Sequence, residues 1–144
     1  MESLARAYQT TGVERSLMIT EDYLTAIKVK LLTSPLVQSF TIIKERVIVD
    51  QGYFRARLTL TNGDFCEIVE FFAVQNQTCV TESYRYQWMD ATKQQLRKRW
   101  DNVEHFPDIP NFPHHVHILE EANVHPSLSL NILEIIDYLE KAID

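Results

Sequence analysis

The sequence contains few residues that break or cross-link a polypeptide. Its 144 residues include three glycines, five prolines and two cysteines, which excludes a low-complexity chain and a disulfide-rich scaffold. No apolar run approaches the ~20 residues of a membrane helix, and the N-terminal segment lacks the apolar core of a signal peptide. We therefore expect a cytoplasmic protein with one globular domain and no membrane partner.

The two cysteines are expected to be reduced. They lie on predicted neighbouring strands, in a register that places Cys66 opposite Gln87 and Cys79 opposite Val74. The two Cα atoms would then be separated by more than the ~7 Å that a disulfide spans.

Charge alone argues against a nucleic-acid-binding protein, because the net charge is −6. The segment from Lys93 to Arg99 is nevertheless locally basic, whereas the C-terminal region is acidic. A basic surface on an acidic protein can contact phosphates or an acidic protein partner, so composition leaves both open.

The first half of the chain predicts an extension, a helix and a hairpin. Residues 1–17 show no sustained period and are expected to form a loosely ordered extension, while residues 18–144 form one domain. Thr20 is the expected N-cap of a helix over residues 20–33, and β-branched residues then predict strands from Gln38 to Val49 and from Tyr53 to Thr61.

The second half predicts strands, a loop and two helices. A turn near Gln75-Asn76-Gln77-Thr78 should lead into a strand over residues 79–88. A short helix is expected over 91–100 and an edge strand over 115–119, with a proline-rich loop over 101–113. A final helix should begin at Ser127. The predicted fold is α+β, a single domain in which two or three helices pack on an antiparallel meander of four or five strands.

The dipeptide Asn62-Gly63 predicts the register of the central hairpin. A two-residue type I′ turn needs positive φ at both central positions, which asparagine and glycine tolerate. Such a turn would pair Leu60 with Phe65, Leu58 with Glu67 and Arg55 with Glu70. Glu67 would then lie on the apolar face beside Tyr86, where burial would raise its pKa unless an arginine paired with it.

Three histidines follow Pro113 in the segment His114-His115-Val116-His117. In an extended strand His115 and His117 share one face and His114 points to the other. Two imidazoles on one face could bind a metal ion together with His105, Asp101 or Glu67, or could transfer protons without a metal. Surface or capping roles for these histidines are a third alternative.

Five motifs between Tyr53 and about Pro126 resemble the TumE-type toxin family of prokaryotic toxin–antitoxin systems. They are Gly52-Tyr53-Phe54-Arg55-Ala56-Arg57, Glu67-Ile68-Val69-Glu70-Phe71, Tyr84-Arg85-Tyr86-Gln87-Trp88, Arg99-Trp100-Asp101-Asn102 and Phe112-Pro113-His114-His115-Val116-His117. The family often has a histidine at the position of Gln87. The resemblance implies a prokaryotic toxin with a small helix-turn-helix DNA-binding antitoxin as its partner.

We predict from these residues a toxin of a type II system that acts as a metal-independent ribonuclease, with RNA as substrate and no cofactor. His115 and His117 are the predicted acid and base, Glu67 would share or orient the proton, Arg99 would neutralise phosphate and His114 is a further catalytic candidate. The predicted substrate-binding residues are Arg85, Tyr84, Tyr86, Trp88, Arg57, Trp100, Asp101 and His105.

Two alternatives stay open from the sequence. One is a non-catalytic module that binds protein or nucleic acid, in which a basic helix containing Lys93 and Arg97 docks on an acidic partner. The other is a metal-dependent nuclease. The sequence also leaves open whether the chain forms a homodimer.

Overall fold

A computed structural model describes residues 11–143, and the first ten residues of the predicted N-terminal extension lie outside this range. Within the described residues, seven strands form one antiparallel sheet in which every strand pairs with its neighbours in sequence. The elements are α1 (Gly12–Thr33), β1 (Val37–Ile48), β2 (Gln51–Leu60), β3 (Phe65–Gln75), β4 (Thr78–Met89), β5 (Leu96–Asp101), β6 (His115–Ile118), β7 (Val124–Pro126) and α2 (Ile132–Ala142). The predicted α+β class is confirmed, with more strands than the four or five expected.

Helix α1 begins earlier than predicted. Thr11 is its N-cap and forms a capping box with Glu14, in which each side chain bonds to the other residue's backbone N–H. The start predicted at Thr20 is wrong, because Thr20 is buried in the helix interior and its hydroxyl donates to the Val49 carbonyl at 2.9 Å. The predicted end at Ser34 is confirmed.

The loop between β2 and β3 overturns the predicted register. It contains three residues, with Leu60 and Asp64 closing it and Gly63 in the left-handed conformation at φ +90°. The extra loop residue shifts the pairing by one position, so that Arg57 lies opposite Glu67 and Leu58 opposite Cys66. A one-residue shift exchanges the two faces of a strand, which places Glu67 on the polar face and Glu70 in the core.

The hairpin between β3 and β4 has the tight turn that was expected. Asn76 and Gln77 both have positive φ, as a type I′ turn requires. Val74 faces Cys79 as predicted, but a bulge beside Phe71 then shifts the register, so that Cys66 faces Trp88 instead of Gln87. Both cysteines are free, as expected.

The predicted helix over residues 91–100 is wrong. The Asp90 carboxylate accepts hydrogen bonds from the backbone N–H groups of Gln94 and Gln95 at 2.9 and 3.0 Å, which folds this segment into a turn. Strand β5 follows and pairs with β4. The basic docking helix of the non-catalytic alternative is therefore absent from the described chain.

The C-terminal part follows the prediction in outline. Residues 102–114 contain no helix or strand, and β6 forms where an edge strand was expected, although β7 covers its outer side. Helix α2 begins after the N-cap Asn131 and not at Ser127. No helix within residues 11–143 is long and apolar enough to cross a membrane.

The sheet has two different faces. On the helix-covered face, both helices bury apolar side chains of the sheet, including Phe54, Ile68 and Tyr86, each of which is fully inaccessible. On the open face, alternating positions of β2 to β6 carry a mixture of charged, polar and apolar side chains, such as Arg57, Glu67 and Phe71, and neither helix of the described residues 11–143 packs on them. The candidate site lies on the open face, held in place by the core behind it.

Candidate active site

Strands β4, β5 and β6 bring the chemically distinctive side chains together on the open face. Pairing places Arg85 opposite Asp101 and Asp101 opposite His115. In the neighbouring row, Arg99 lies opposite His117. Residues two apart on a strand share a face, so the row of Arg85, Asp101 and His115 and the row of Arg99 and His117 lie side by side. The two rows form one continuous polar surface.

Asp101, His115 and His117 form a compact group, which we call the Asp101 cluster. The Nε2 atom of His115 lies 2.9 Å from Asp101 Oδ1, and that of His117 lies 3.6 Å from Asp101 Oδ2. All three residues are buried, with exposures of 4, 1 and 4% respectively. The prediction that His115 and His117 share a face is confirmed.

Backbone carbonyls determine which ring nitrogen carries the proton. His115 Nδ1 lies 2.8 Å from the carbonyl oxygen of Pro113, and His117 Nδ1 lies 2.8 Å from that of Glu121. A carbonyl can only accept, so both Nδ1 atoms are donors. In a neutral imidazole the Nε2 atom is then an unprotonated acceptor, and both Nε2 atoms point towards the Asp101 carboxylate.

Two further groups hold the Asp101 carboxylate in place. Its Oδ1 accepts the backbone N–H of Val103 at 3.0 Å, and its Oδ2 lies 3.4 Å from Arg99 Nε. The other guanidinium nitrogens of Arg99 form a two-point ion pair with Glu121. That pair holds the pKa of Glu121 below its usual range, so Glu121 balances the charge of Arg99.

The cluster opens into a hollow of about 370 Å³, which we call the site hollow. Its lining residues are Arg85, Arg99, Asp101, Val103, His105, Phe106, His115, His117 and Glu121. A second hollow of about 370 Å³ shares Arg85, Arg99 and Glu121 with it and extends along β4 and β5. The two hollows therefore lie side by side and meet at Arg85, Arg99 and Glu121.

The predicted stacking aromatics lie on the other side of the sheet. Tyr84, Tyr86 and Trp100 are 4, 0 and 4% exposed on the helix-covered face. Trp88 is half-buried on that face, where its Nε1–H donates to Asp64 at 2.9 Å. The predicted position of Glu67 beside Tyr86 is wrong, because the register shift moves Glu67 to the open face while Tyr86 stays on the helix-covered face. These two residues therefore share no hollow with His117.

His114 also lies outside the cluster. Its Nδ1 is 2.9 Å from the Tyr84 hydroxyl, and the two rings stack. Burial, with a smaller contribution from the neighbouring His115, lowers the pKa of His114. The alternation of side chains along an extended strand predicted that His114 would point away from His115 and His117. His114 accordingly does not line the site hollow.

Glu67 lies on the open face but in a different environment from the one expected. Partial burial opposes its ionisation, but hydrogen bonds from Arg57 at 3.0 Å and Arg55 at 3.3 Å outweigh it and lower its pKa. Of the two alternatives for Glu67, the arginine pair is the one present, formed by Arg55 and Arg57, and the raised pKa is not found. Glu67 is also three strands from His117, which corresponds to about 14 Å, so Arg57 and Glu67 form a separate ion pair.

Sequence reasoning missed two residues of the site. Phe106, in the proline-rich loop, packs edge-on against His115 and His117 with ring centroids 5.0 and 6.0 Å apart. Glu121, in the turn after β6, binds Arg99 and holds His117 through its carbonyl. Neither lies in a periodic segment, and their positions depend on how two loops fold over the sheet.

The family of the chain is identified by comparison with known proteins. The model of a family described as Toxin TumE matches residues 27–143. The match includes β4, β5, β6 and the Asp101 cluster, and it confirms the resemblance found in the sequence motifs. No curated protein and no solved structure matches the chain.

Proposed function

Because the chain belongs to the TumE toxin family, we propose that it is a toxin that cleaves RNA at the Asp101 cluster. One observation carries this proposal: a buried carboxylate and two imidazoles open into a hollow that two arginines line. Such a hollow combines groups that transfer protons or activate a nucleophile with groups that bind phosphate.

Arg85 and Arg99 are the proposed phosphate-binding groups. A guanidinium can donate two parallel hydrogen bonds to a phosphate, which both positions it and stabilises developing negative charge. Arg85 is exposed on the open face, so its side chain is accessible to a ligand. Arg99 is held by Glu121 and Asp101 and would position the phosphate against His117.

The 2′-hydroxyl of RNA would be the nucleophile. Its oxygen attacks the adjacent phosphorus, a base removes its proton, the bond to the 5′-oxygen breaks and an acid protonates that oxygen, which leaves a 2′,3′-cyclic phosphate. In the metal-independent form that the sequence predicts, His117 Nε2 is the base, since it is 3.6 Å from Asp101 and forms no hydrogen bond there. The exposed His105 is then the proposed acid.

The family also implies an antitoxin as partner, and we propose the small helix-turn-helix DNA-binding type in the cytoplasm of a prokaryote, as expected from the motifs. A type II arrangement requires that the antitoxin binds the toxin directly. Co-expression with the neighbouring reading frame should therefore restore growth and yield a stable complex on purification.

The ribonuclease proposal can be tested with purified protein and labelled RNA. Wild-type protein should cleave a single-stranded RNA into products that end in a 2′,3′-cyclic phosphate, and should leave the all-deoxy version of the same oligonucleotide intact. His117→Ala should lose this activity, whereas Glu67→Gln, in the separate ion pair on the same face, should retain it. Thermal melts would establish that both variants fold.

Induced expression supplies the matching test in cells. Wild-type protein should arrest growth, and His117→Ala or Asp101→Asn should relieve the arrest. Full toxicity in both variants, or intact RNA after prolonged incubation with folded wild-type protein and with Zn²⁺ or Mn²⁺ present, would overturn the proposal.

A further inference from the structure

We infer that Asp101, His115 and His117 bind a divalent transition-metal ion, such as Zn²⁺ or Mn²⁺, at the floor of the site hollow. Among the residues the structure describes, these three place one oxygen and two nitrogen ligand atoms within 4.8 Å of one another. The ion's role in RNA cleavage rests on the proposed function, whereas its binding does not.

The orientation of the two imidazoles is the first support for a bound cation. Since both Nδ1 atoms donate to backbone carbonyls, two Nε2 lone pairs converge on a carboxylate that is itself an acceptor. Three acceptors that meet in a buried place repel one another unless a positive species lies between them. The Arg99 guanidinium lies 3.4 Å from Asp101 Oδ2, but it donates to neither Nε2 atom. The positive species between the imidazoles and the carboxylate is therefore either a proton or a metal ion.

The distances favour a metal ion over a proton. A proton on His115 Nε2 would satisfy the 2.9 Å contact with Asp101 Oδ1. It would leave His117 Nε2 at 3.6 Å from Asp101 Oδ2, which is too long for a hydrogen bond. One metal ion could bond to all three residues, because ligands about 2.1 Å from an ion lie about 3.0 to 4.2 Å from each other. The 3.6 Å separation lies within that range, and the 2.9 Å separation lies at its lower edge.

The surroundings of the three ligands are those of a metal site. Histidines that bind metals commonly donate their second ring N–H to a backbone carbonyl, which fixes the tautomer and the ring orientation. His115 and His117 both do so, to the carbonyls of Pro113 and Glu121 at 2.8 Å. The Asp101 carboxylate is likewise positioned by the Val103 N–H at 3.0 Å, so each ligand has an external support.

The ligand set indicates the class of ion. Two imidazoles and one carboxylate suit Zn²⁺, Mn²⁺ and related transition metals, whereas Mg²⁺ and Ca²⁺ prefer oxygen ligands. Three protein ligands leave at least one coordination position for water or substrate, as in catalytic zinc sites. With the ion bound, His117 Nε2 would be a ligand and could not act as the base. The ion would supply that role by lowering the pKa of a bound hydroxyl, or would polarise a phosphate oxygen beside Arg85 and Arg99.

Metal titration of the purified full chain tests this inference. After removal of metals with a chelator, calorimetric titration with Zn²⁺ and with Mn²⁺ should give one equivalent bound, and Mg²⁺ should bind far more weakly. Asp101→Asn and His117→Gln should each weaken Zn²⁺ binding by at least ~100-fold, because each removes one of three direct ligands. His125→Ala is the matched control, since this exposed histidine on β7 lies outside the cluster and should leave the affinity unchanged.

Nitrogen NMR of the histidines tests the same metal site in wild-type protein, so its result does not depend on whether the variants fold. Addition of one equivalent of Zn²⁺ should shift the Nε2 resonances of two imidazoles while their Nδ1–H signals persist. The absence of stoichiometric binding by Zn²⁺ and Mn²⁺, or Zn²⁺ binding that survives both ligand variants, would overturn the inference.

The outcomes separate this inference from the ribonuclease proposal. RNA cleavage by metal-free protein in excess chelator, with no stoichiometric metal binding, would leave the ribonuclease proposal standing and overturn the metal site. Stoichiometric binding at these residues without RNA cleavage under any metal condition would confirm the metal site and overturn the proposed reaction.

Discussion

Two buried carboxylates lie on opposite faces of the same sheet, and their partners differ in kind. Glu70, on the helix-covered face, accepts hydrogen bonds from the Tyr23 hydroxyl at 2.6 Å, the Thr81 hydroxyl at 2.8 Å and the Ile132 N–H at 3.0 Å. Asp101, on the open face, instead meets two ring nitrogens whose protons point elsewhere.

The comparison shows that burial alone does not distinguish a structural carboxylate from a functional one. Glu70 is surrounded by donors, so its contacts are complete and they join α1, β4 and α2 to β3. Asp101 accepts from the Val103 N–H and lies beside Arg99, but it also faces two Nε2 acceptors that have no donor, and its cluster opens into the site hollow. The direction of the neighbouring N–H groups therefore decides between the two roles.

Asp101→Asn should have the largest effect on activity. The amide keeps the shape of the side chain but removes the charge that binds a cation, so RNA cleavage should fall by at least ~1000-fold and growth arrest should disappear. Glu70→Gln, the equivalent change on the other face, should leave cleavage within about threefold of wild type when corrected for folded protein. Equal losses of cleavage in the two variants would show that Asp101 and Glu70 do not differ in their roles.

Glu70→Ala should have the largest effect on stability. It removes the acceptor of three buried donors and leaves a cavity, so the free energy of unfolding should fall by about 3 kcal/mol. Chemical denaturation measures this change. The site hollow lies on the opposite face, so the folded fraction of the variant should still bind Zn²⁺ with wild-type affinity. Loss of Zn²⁺ binding in folded protein would show that the Asp101 cluster depends on Glu70.

Arg85→Ala should weaken the contact with RNA and spare the cluster. Loss of one guanidinium–phosphate contact corresponds to about 2 kcal/mol, or roughly a 30-fold decrease in kcat/KM. Zn²⁺ affinity should not change, because Arg85 contacts none of the three ligands through a hydrogen bond in the described chain. Arg57→Ala, on the same face but outside the site hollow, is the control and should retain full cleavage.

The pH dependence of stability should reveal the environment of Glu70. Burial raises the pKa of this carboxyl above its ordinary value of 4.5, so the folded state binds its proton more tightly than the unfolded state. Its contribution is therefore complete below the ordinary value and is lost as pH rises through the raised value. The unfolding free energy of wild type minus that of Glu70→Gln should decrease as pH rises above 4.5, and a difference that increases would contradict this assignment.

Glu67→Gln should have the smallest effect. Its partners Arg55 and Arg57 are 36 and 50% exposed, and such ion pairs contribute less than ~1 kcal/mol. Denaturation should therefore give a nearly unchanged free energy of unfolding. A loss of several kcal/mol, or loss of RNA cleavage, would show that Glu67 has a role that the separate ion pair does not account for.

Local sequence signals predicted much of the fold. Alternation along β2, the turn at Asn76-Gln77 and the shared face of His115 and His117 all follow from residue types that are close in sequence. Asn62-Gly63 marked a turn correctly but not its length. That one-residue difference placed Glu67 on the open face and Glu70 in the core, the reverse of the prediction, because alternate residues of a strand face opposite sides.

The composition of the site was harder to predict because it depends on tertiary contacts. Leu96 and Arg97 are good helix formers, yet they pair with β4 in a strand, since Asp90 folds the preceding residues into a turn. Phe106 and Glu121 reach the cluster only through loops. Asp101 could be proposed from the sequence as a third ligand, but the direction of the Nδ1 protons could be found only from the backbone carbonyls around them.

Anomalous diffraction from crystals grown with Zn²⁺ or Mn²⁺ would locate a metal ion at the Asp101 cluster. We expect an anomalous peak about 2.1 Å from Asp101, His115 Nε2 and His117 Nε2, with both Nδ1 atoms still bonded to their carbonyls. A fully occupied crystal of active protein with no peak there, and with His115 and His117 turned away from Asp101, would contradict this expectation.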